Sequence, residues 1–562
     1  MKFNRNLGML LGGAALIMSA ACSQDLSVPD NEAPDVQRAL ANPSDVENLA
    51  QSSVKSWYKA STHYDPWTML NVTGDVMTAN FGNFGMRFNN LEPRIPYAND
   101  ASNADVEAAT TPWNALYGGL GSANSAMRAI RAGIVLPDGS DQYKALTQWV
   151  QGATFMNLGL IFDQAFVVDE SFDATKGTPA FVKYPGVIKA ATDKLDSAIA
   201  AWSGPGKAWV YPATVFPAYN FTLDAAHLVR IANTQAALAL AYQPRNAADA
   251  AKVDWVKVHA YADKGIGTIP SGAAPFDFSL DADNNTWYSN LVGYFDLPSW
   301  LAVDQHLIHK MASCVPDKFD GTFVPPNCAH DNRLQIDTSG KDVGLGLPHS
   351  SGADFIYGAR VQGDPTRGIY MQSPYYHERY LNTSFEADES LGNTPYILAA
   401  ESDLVRAEAI IRSGDVADRQ TAADLINKYH VGRGGLTAMT VANTDADFIN
   451  VIAYEREVEC AATDGYGFFA VRHIDDLQPG TVHHLPVPAG ELETLGLPVY
   501  TFGGVGKTVE NSIPTSPANA ASLLRSLNPT GRSLDLPLAN GTTVKLEVPA
   551  ASATISRPRA RY

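Results

Sequence analysis

YILAAESDLVRAEAIIRSGD (residues 396–415), AADLINKYHVGRGGL (422–436) and FINVIAYEREVECAATDGYGFFAVR (448–472) are the stretches whose reading decides the fold. In the first, Ile397, Ala400, Leu404, Ala407 and Ile411 recur at three- and four-residue steps, which places them on one helical face, and Gly414-Asp415 supplies a stop. In the second, Ala422, Leu425, Ile426 and Tyr429 repeat that spacing before Gly434-Gly435. In the third, Val451, Tyr454, Val458 and Ala461 form the apolar side, with Glu455, Arg456 and Glu459 offset from it and able to pair. The spacing predicts three packed helices rather than a catalytic loop.

These segments resemble the C-terminal half of the SusD/RagB family, surface lipoproteins that capture nutrients for a TonB-dependent transporter. The likeness is carried by Asp403, Leu404, Ala407, Glu408 and Ala409, by Leu425, Ile426 and Asn427, by Glu455, Arg456 and Glu459, and by Gly465, Phe468, Phe469 and Arg472. The chain departs from the family pattern at His430, where an Arg is usual, and at Gly467 and Ala470, where Arg and Asp are usual. Those departures imply a weaker ion-pair network at the helix ends. Two N-terminal stretches are also similar to the family: WNALYGGLGSANSAMRAI (113–130), through Trp113, Tyr117, Ala123 and Asn124, and ALTQWVQGATFMNLGLIFDQAFVV (145–168), through Gly152, Ala153, Leu158, Phe162 and Asp163. The resemblance implies a mainly α fold, a tetratricopeptide-like helical repeat scaffold of the SusD-like α-α superhelix type with long irregular loop insertions.

Periodicity outside these motifs agrees with a helical array. Apolar spacing predicts helices over 46–60, 106–132, 143–162, 185–202, 223–242 and 255–266, with Gly118, Gly119, Gly121, Ala123 and Ala126 placed for close helix approach. The chain of 562 residues divides into a signal peptide (1–21), a flexible tether (22–42), an N-terminal helical region (43–269), an irregular insertion (270–393), the helices just described (394–473) and an irregular C-terminal region with a few extended pieces (474–562). Lys2 and Arg5 precede the apolar run 7–18, and Ser19-Ala20-Ala21 forms a small-residue cleavage site before Cys22. That apolar run is shorter than the roughly 20 residues of a spanning helix. The arrangement resembles a lipobox with Ser19 in place of the usual Leu, so Cys22 is expected to carry a lipid anchor on the outer membrane, facing the exterior; ordinary secretion is the rival.

With 41 basic against 59 acidic residues, the net charge of −18 argues against nucleic acid as a partner, because phosphate binding needs clustered Lys and Arg. Cys314 and Cys328 flank a loop that a disulfide would stabilise by roughly 3 kcal/mol in the chain-entropy model. A zinc site drawing on His306, His309 and His330 is the alternative, though no recurrent ligand spacing supports it. Cys460 reads as a small core residue.

Sugar recognition needs flat apolar faces for C–H groups and fixed polar groups for hydroxyls. Two stretches offer both. HYDPWTMLNVTGDVMTANFGNFGMRF (63–88) supplies Tyr64, Trp67, Phe81, Phe84 and Arg87 beside Asn80, Asn83 and Asn89; NNTWYSNLVGYFDLPSW (284–300) supplies Trp287, Tyr288, Tyr294 and Trp300 beside Asn284, Asn285, Asn290 and Asp296. SPYYHERY (373–380), with Tyr375, Tyr376 and His377, is a third. Trp67 and Trp287 stand out because Asn and Gly lie near them in sequence, and most of the other aromatics are expected to fill the core. GGVGKT (503–508) lacks the first glycine of a phosphate-binding loop, and DADNNT (281–286) lacks the glycine and distal Glu of a calcium loop. The sequence therefore predicts a non-enzymatic protein without cofactor or metal. It would hold an oligosaccharide, or another oligomeric nutrient, for a SusC-like TonB-dependent transporter. A ligand-free helical scaffold and a surface glycoside hydrolase are the rivals, the latter because paired carboxylates need only be close in space.

Overall fold

The computed structural model describes residues 40–80, 85–103, 106–283, 286–289, 295, 301–323, 325, 327–336, 353–358, 361, 372–380, 391–463 and 466–507, with the extended segments 513–514, 534–537 and 543–546. Its principal helices are α1 (Pro43–Ser61), α2 (Tyr64–Thr73), α3 (Glu107–Arg131), α4 (Ser140–Ile161), α5 (Tyr184–Trp202), α6 (Ala225–Tyr242), α7 (Trp255–Ala262), α8 (Gln305–Met311), α9 (Ala399–Ser413), α10 (Arg419–His430), α11 (Asp445–Glu459) and α12 (Tyr466–Arg472). Packing runs from neighbour to neighbour, α1 on α3, α3 on α4, α4 on α5, α5 on α6, α6 on α7, α7 on α9, and α9 on α10 and α11. That serial order is the mark of a helical-repeat array, in which each unit buries the face its neighbour exposes.

Local chemistry sets the boundaries. Asn42 caps α1 by accepting from the Ser44 amide at 3.1 Å, with Pro43 in the first turn, where its missing N–H costs nothing. Asp224 caps α6 through the His227 amide, and Thr444 and Asp447 form a reciprocal capping box on α11. Gly414 ends α9 at φ 73°, the left-handed cap expected of the Gly-Asp stop. The closest approach is between α4 and α5: a Cβ at Gly152 would lie 2.7 Å from Leu195 Cγ, and one at Gly159 2.8 Å from Ile188 Cδ1. Of the glycines expected at the α3 contact, Gly119 does meet the α1 backbone at Trp57, whereas Gly118 and Gly121 face open space.

The strands are short. β1 (Met77–Ala79), β2 (Phe278–Asp283), β3 (Leu301–Val303), β4 (Leu334–Ile336), β5 (Phe355–Tyr357), β6 (Tyr375–His377) and β7 (Leu391–Ile397) lie between or beside the helices. β1 pairs antiparallel with β3, β2 antiparallel with β7, and β4-β5-β6 form a small mixed sheet. Ile397, expected on the first helical face, is the last residue of β7 instead, and the helix starts two residues later. Its neighbour Tyr396 explains the strand: the ring stands edge-on to Trp57 at 5.4 Å and to Phe278 at 5.8 Å, in an aromatic core that also takes in Trp149.

Charge is buried with care in the C-terminal helices. Arg456, fully buried, bonds Glu401 at 3.2 Å and Glu408 at 2.5 Å, and Glu408 also takes His473 and Arg412. Burial pushes the Glu408 carboxyl up, but His473, Arg456 and Arg412 outweigh that and hold it well below the usual range. Glu455 and Glu459 both accept from Arg333, Glu459 also accepts from Arg379 and Arg433, and Glu455 accepts from His430 Nδ1. The network is dense, not weakened. His430 serves where an Arg was expected, and Gly467 is small for a reason: a Cβ there would sit 2.8 Å from Val76 Cγ2. Arg472 donates to the carbonyls of Leu160, His483 and Tyr242, and Arg245 to those of Gly159, Leu160 and Phe162. Both guanidiniums thus satisfy carbonyls at the C-terminal ends of α4 and α6, where a cation also complements the helix dipole.

Candidate functional site

The pairing of β1 with β3 joins the two aromatic stretches that the sequence nominates. Ala79 faces Leu301 in the register, so the segments that leave these strands, after residue 80 and before residue 301, start from one place. β6, which carries the third stretch, packs beside β3. These buried strands bring parts of the first and third stretches, which lie far apart in sequence, against the residues that directly follow the second.

An ion cluster fixes the base of this pairing. Asp75 precedes β1 and Asp304 follows β3, where it caps α8 and donates its amide to the Val76 carbonyl at 3.1 Å. Arg94 bonds Asp75 at 2.5 Å, His306 Nδ1 lies 2.7 Å from Asp304 Oδ1, and Gln478 bridges Asp75 and Glu92 at 2.9 Å each. Burial disfavours the charged imidazole, yet Asp304, Asp75 and Glu92 together raise His306 to about 9. Asp75, Asp304 and His306 have ligand-type atoms within 4.8 Å of one another, a spacing that suits either a cation or a retaining glycosidase pair. Here the Arg94 guanidinium bonds Asp75 and the His306 ring bonds Asp304. The loop after α8 is closed by the Cys314–Cys328 disulfide, with Cα atoms 6.0 Å apart. Bonded to each other, these sulfurs are not zinc ligands.

The nominated aromatics divide sharply. Trp67 is not a loop residue: it lies in α2, 1% exposed, with its indole N–H donated to the Ser61 carbonyl at 2.7 Å and its ring edge-on to Phe469. Asp65-Pro66 reads as a turn in sequence, but Pro66 opens the regular part of a helix buried almost all round. Trp287 is 5% exposed, packed on Tyr58 and Phe216 with the Lys55 ammonium 5.5 Å from its ring centroid. Tyr375 and Tyr376 are each 1% exposed within β6. None of these four offers an open stacking face, and the expectation that they form an exposed platform is corrected. Asn83, Phe84, Tyr294 and Trp300, like Cys22, lie outside the described residues.

Tyr288, Tyr64 and Arg87 are nominated residues that stand partly open, and the Lys59 ammonium lies 4.5 Å from the Tyr288 ring centroid. Partial burial lowers the Lys59 pKa, and Lys55 adds to the effect against the opposing pull of Asp283. Lys55 and Lys59 were missed from sequence, since an i, i+4 lysine pair on a helix ordinarily reads as a solvated face. Asp283 accepts from the amides of Thr286 and Trp287 and from the Thr286 hydroxyl, a turn that aims residues 287 and 288 and uses the carboxylate a calcium loop would need. Gly503 and Gly504 pack on Val482 and Pro96 at positive φ, so that glycine run is a structural turn. Around Tyr288 the described residues offer a partly open phenol ring, two ammonium groups and the Thr286 hydroxyl, which suit hydrogen bonding and stacking.

No protein-family model and no curated protein matches the sequence. Solved structures do. A SusD superfamily protein from Parabacteroides distasonis superposes with a TM-score of 0.56 at 13% identity, over 82% of this chain and 99% of that one. A SusD superfamily protein from Bacteroides vulgatus gives 0.52 at 15% identity, over 81% and 97%. A SusD-like carbohydrate binding protein from Bacteroides fragilis gives 0.51 at 13% identity, over 91% and 94%. The fold is that of the SusD superfamily, as the C-terminal motifs imply.

Proposed function

We propose that this chain is a SusD/RagB-type capture protein, anchored at the outer membrane through a lipid on Cys22, that holds an oligosaccharide and passes it to a SusC-like TonB-dependent transporter. The observation that carries the reading is the SusD-like fold of the scaffold, on which the partly open Tyr288 ring lies beside the Lys55–Lys59 pair of α1. The name of the Bacteroides fragilis neighbour supports a glycan as the ligand class. Tyr288 and the segments around it supply ring faces and amides, and Lys55 and Lys59 supply donors for ring or hydroxyl oxygens. No bond is made or broken in this role. The ion pairs beneath the face hold its base rigid, which limits the ordering cost when a flexible oligomer settles on it.

The test is affinity electrophoresis and calorimetry of the purified protein against a panel of polysaccharides, with product analysis for reducing ends. Retarded migration with no reducing ends supports capture. Release of reducing ends would favour a hydrolase, and no binding to any member would favour a scaffold. Co-purification of a tagged form from membranes with a TonB-dependent transporter, abolished by Cys22→Ser if anchoring is required, tests the partner and the anchor together.

A further inference from the structure

A second recess lies away from the loop face, where the C-terminal ends of α3 and α5 meet the N-terminal end of α4. It has a volume of about 290 Å³ and is lined on its apolar side by Met127, Ala200, Ala201 and Trp209. Its charged lining is unusual for a chain of net charge −18: Arg131, Lys144 and Lys207 line it with one carboxylate, Asp141. Lys144 and Lys207 share that carboxylate at 3.3 and 3.5 Å, and Arg131 is paired at 2.6 Å with Glu170, which Lys194 also contacts. The Lys207 ammonium is held 4.5 Å from the Trp209 ring centroid. Lys144 and Lys207 pull the Asp141 carboxyl below its ordinary range, so it stays ionised and keeps both ammonium groups at the mouth. The α4 N-terminus beside them has Gly139 as its cap residue with no side-chain cap, leaving its first amides to other acceptors.

We propose that this recess is a binding site for a hexuronate unit, an acidic sugar whose carboxylate meets Lys144, Lys207 and Arg131 while its ring rests on the Trp209 and Met127 side. A carboxylate recruits charge-assisted hydrogen bonds from exposed cations that one Asp satisfies only in part. The apolar floor gives the ring C–H face a partner that a bare inorganic anion would not use, and Gln148 in the lining offers an amide to ring hydroxyls. The volume stands at the lower end of small-molecule sites, a size for one or two sugar units. The choice of a sugar over other carboxylates rests on the capture reading, but the recess is independent of the loop face. On this account the chain favours acidic glycans.

The experiment is calorimetric titration of the full chain with glucuronate, a uronate-containing oligosaccharide, its neutral counterpart and inorganic phosphate, repeated on the double variant Lys144→Gln/Lys207→Gln, on Gln148→Ala and on Tyr288→Ala. The uronate oligomer is expected to bind about tenfold tighter than its neutral counterpart, the value of one charge-assisted hydrogen bond. That advantage should vanish in Lys144→Gln/Lys207→Gln and shrink with added salt, while Tyr288→Ala leaves it intact. Both lysines are partly exposed, and an unchanged thermal transition will certify the fold. Equal affinity for acidic and neutral oligomers, an advantage unaffected by the double variant, or phosphate binding as tightly as glucuronate would each overturn the proposal. Uronate binding to the recess in a protein that retains no polysaccharide would leave the site standing and remove the capture reading; neutral glycan binding with no uronate effect would do the reverse.

Discussion

The helices from Ala399 to Arg472 and the face built on β1 and β3 are held by different means. In the helical region Glu408 and Glu459 each meet two or more guanidinium groups, Glu455 meets Arg333 and the His430 ring, Asp403 meets Lys428, and Arg456 and Arg472 are completely buried. The β1–β3 pair rests on two three-residue strands, the Arg94–Asp75 and His306–Asp304 pairs and the Gln478 bridge, with a disulfide closing the loop after α8. A buried charge network is intolerant of any missing partner, because each partner left behind is desolvated and unpaired. A face pinned only at its base leaves the segments above it open to variation, and that is where recognition is usually placed. The difference separates residues that keep the fold from residues available to a ligand.

The strongest way to break that separation is Arg456→Ala. It removes the guanidinium that Glu401 and Glu408 share, leaves Glu401 to the Tyr242 hydroxyl, and is expected to cost about 3–5 kcal/mol in denaturant unfolding, with glycan affinity of the folded fraction unchanged. Trp67→Ala should cost a similar amount, about 3–5 kcal/mol, for the loss of a core indole, and should act on stability rather than on binding. Replacing Cys314 and Cys328 by Ser should cost roughly 3 kcal/mol in the chain-entropy model, measured as a fall in the unfolding midpoint that reductant reproduces in the parent protein.

A pH series sharpens the contrast. His306 has its folded value raised to about 9 from 6.5, so the stability it contributes is fully present below pH 6.5 and is lost as pH rises through about 9. Glu408 is held below its ordinary 4.5, so its contribution is present above that value and is lost as pH falls through the lower folded one. Hydrogen exchange should therefore show the β1–β3 base loosening toward alkaline pH and α9–α11 loosening toward acid, and His306→Gln should flatten the alkaline limb. The smallest effect on stability is expected from Tyr288→Ala, within about 0.5 kcal/mol for a partly exposed side chain, yet it should weaken glycan binding.

How much of this could be read in advance follows the same division. The helices of the scaffold were legible because period 3.6 and caps such as Gly414 are local signals. That Glu455, Arg456 and Glu459 could form ion pairs was legible, but not with which residues, since the partners Glu401, Arg333 and Arg379 lie too far along the chain for spacing to announce them. Trp67 was misplaced for a related reason. The Asp-Pro step before it signals a turn in isolation, while burial against Phe469 comes from a segment four hundred residues away. The pairing of β1 with β3 was invisible, because three-residue strands carry no period, though it is this pairing that brings the nominated stretches together.

The most direct measurement is calorimetric binding of a polysaccharide panel to the protein and to Tyr288→Ala and Trp300→Ala, with Trp67→Ala as the core control. Capture at the loop face predicts binding without hydrolysis products, weakened by Tyr288→Ala or Trp300→Ala, with folded Trp67→Ala binding as the parent does. Undiminished binding in both loop-face variants would contradict the account.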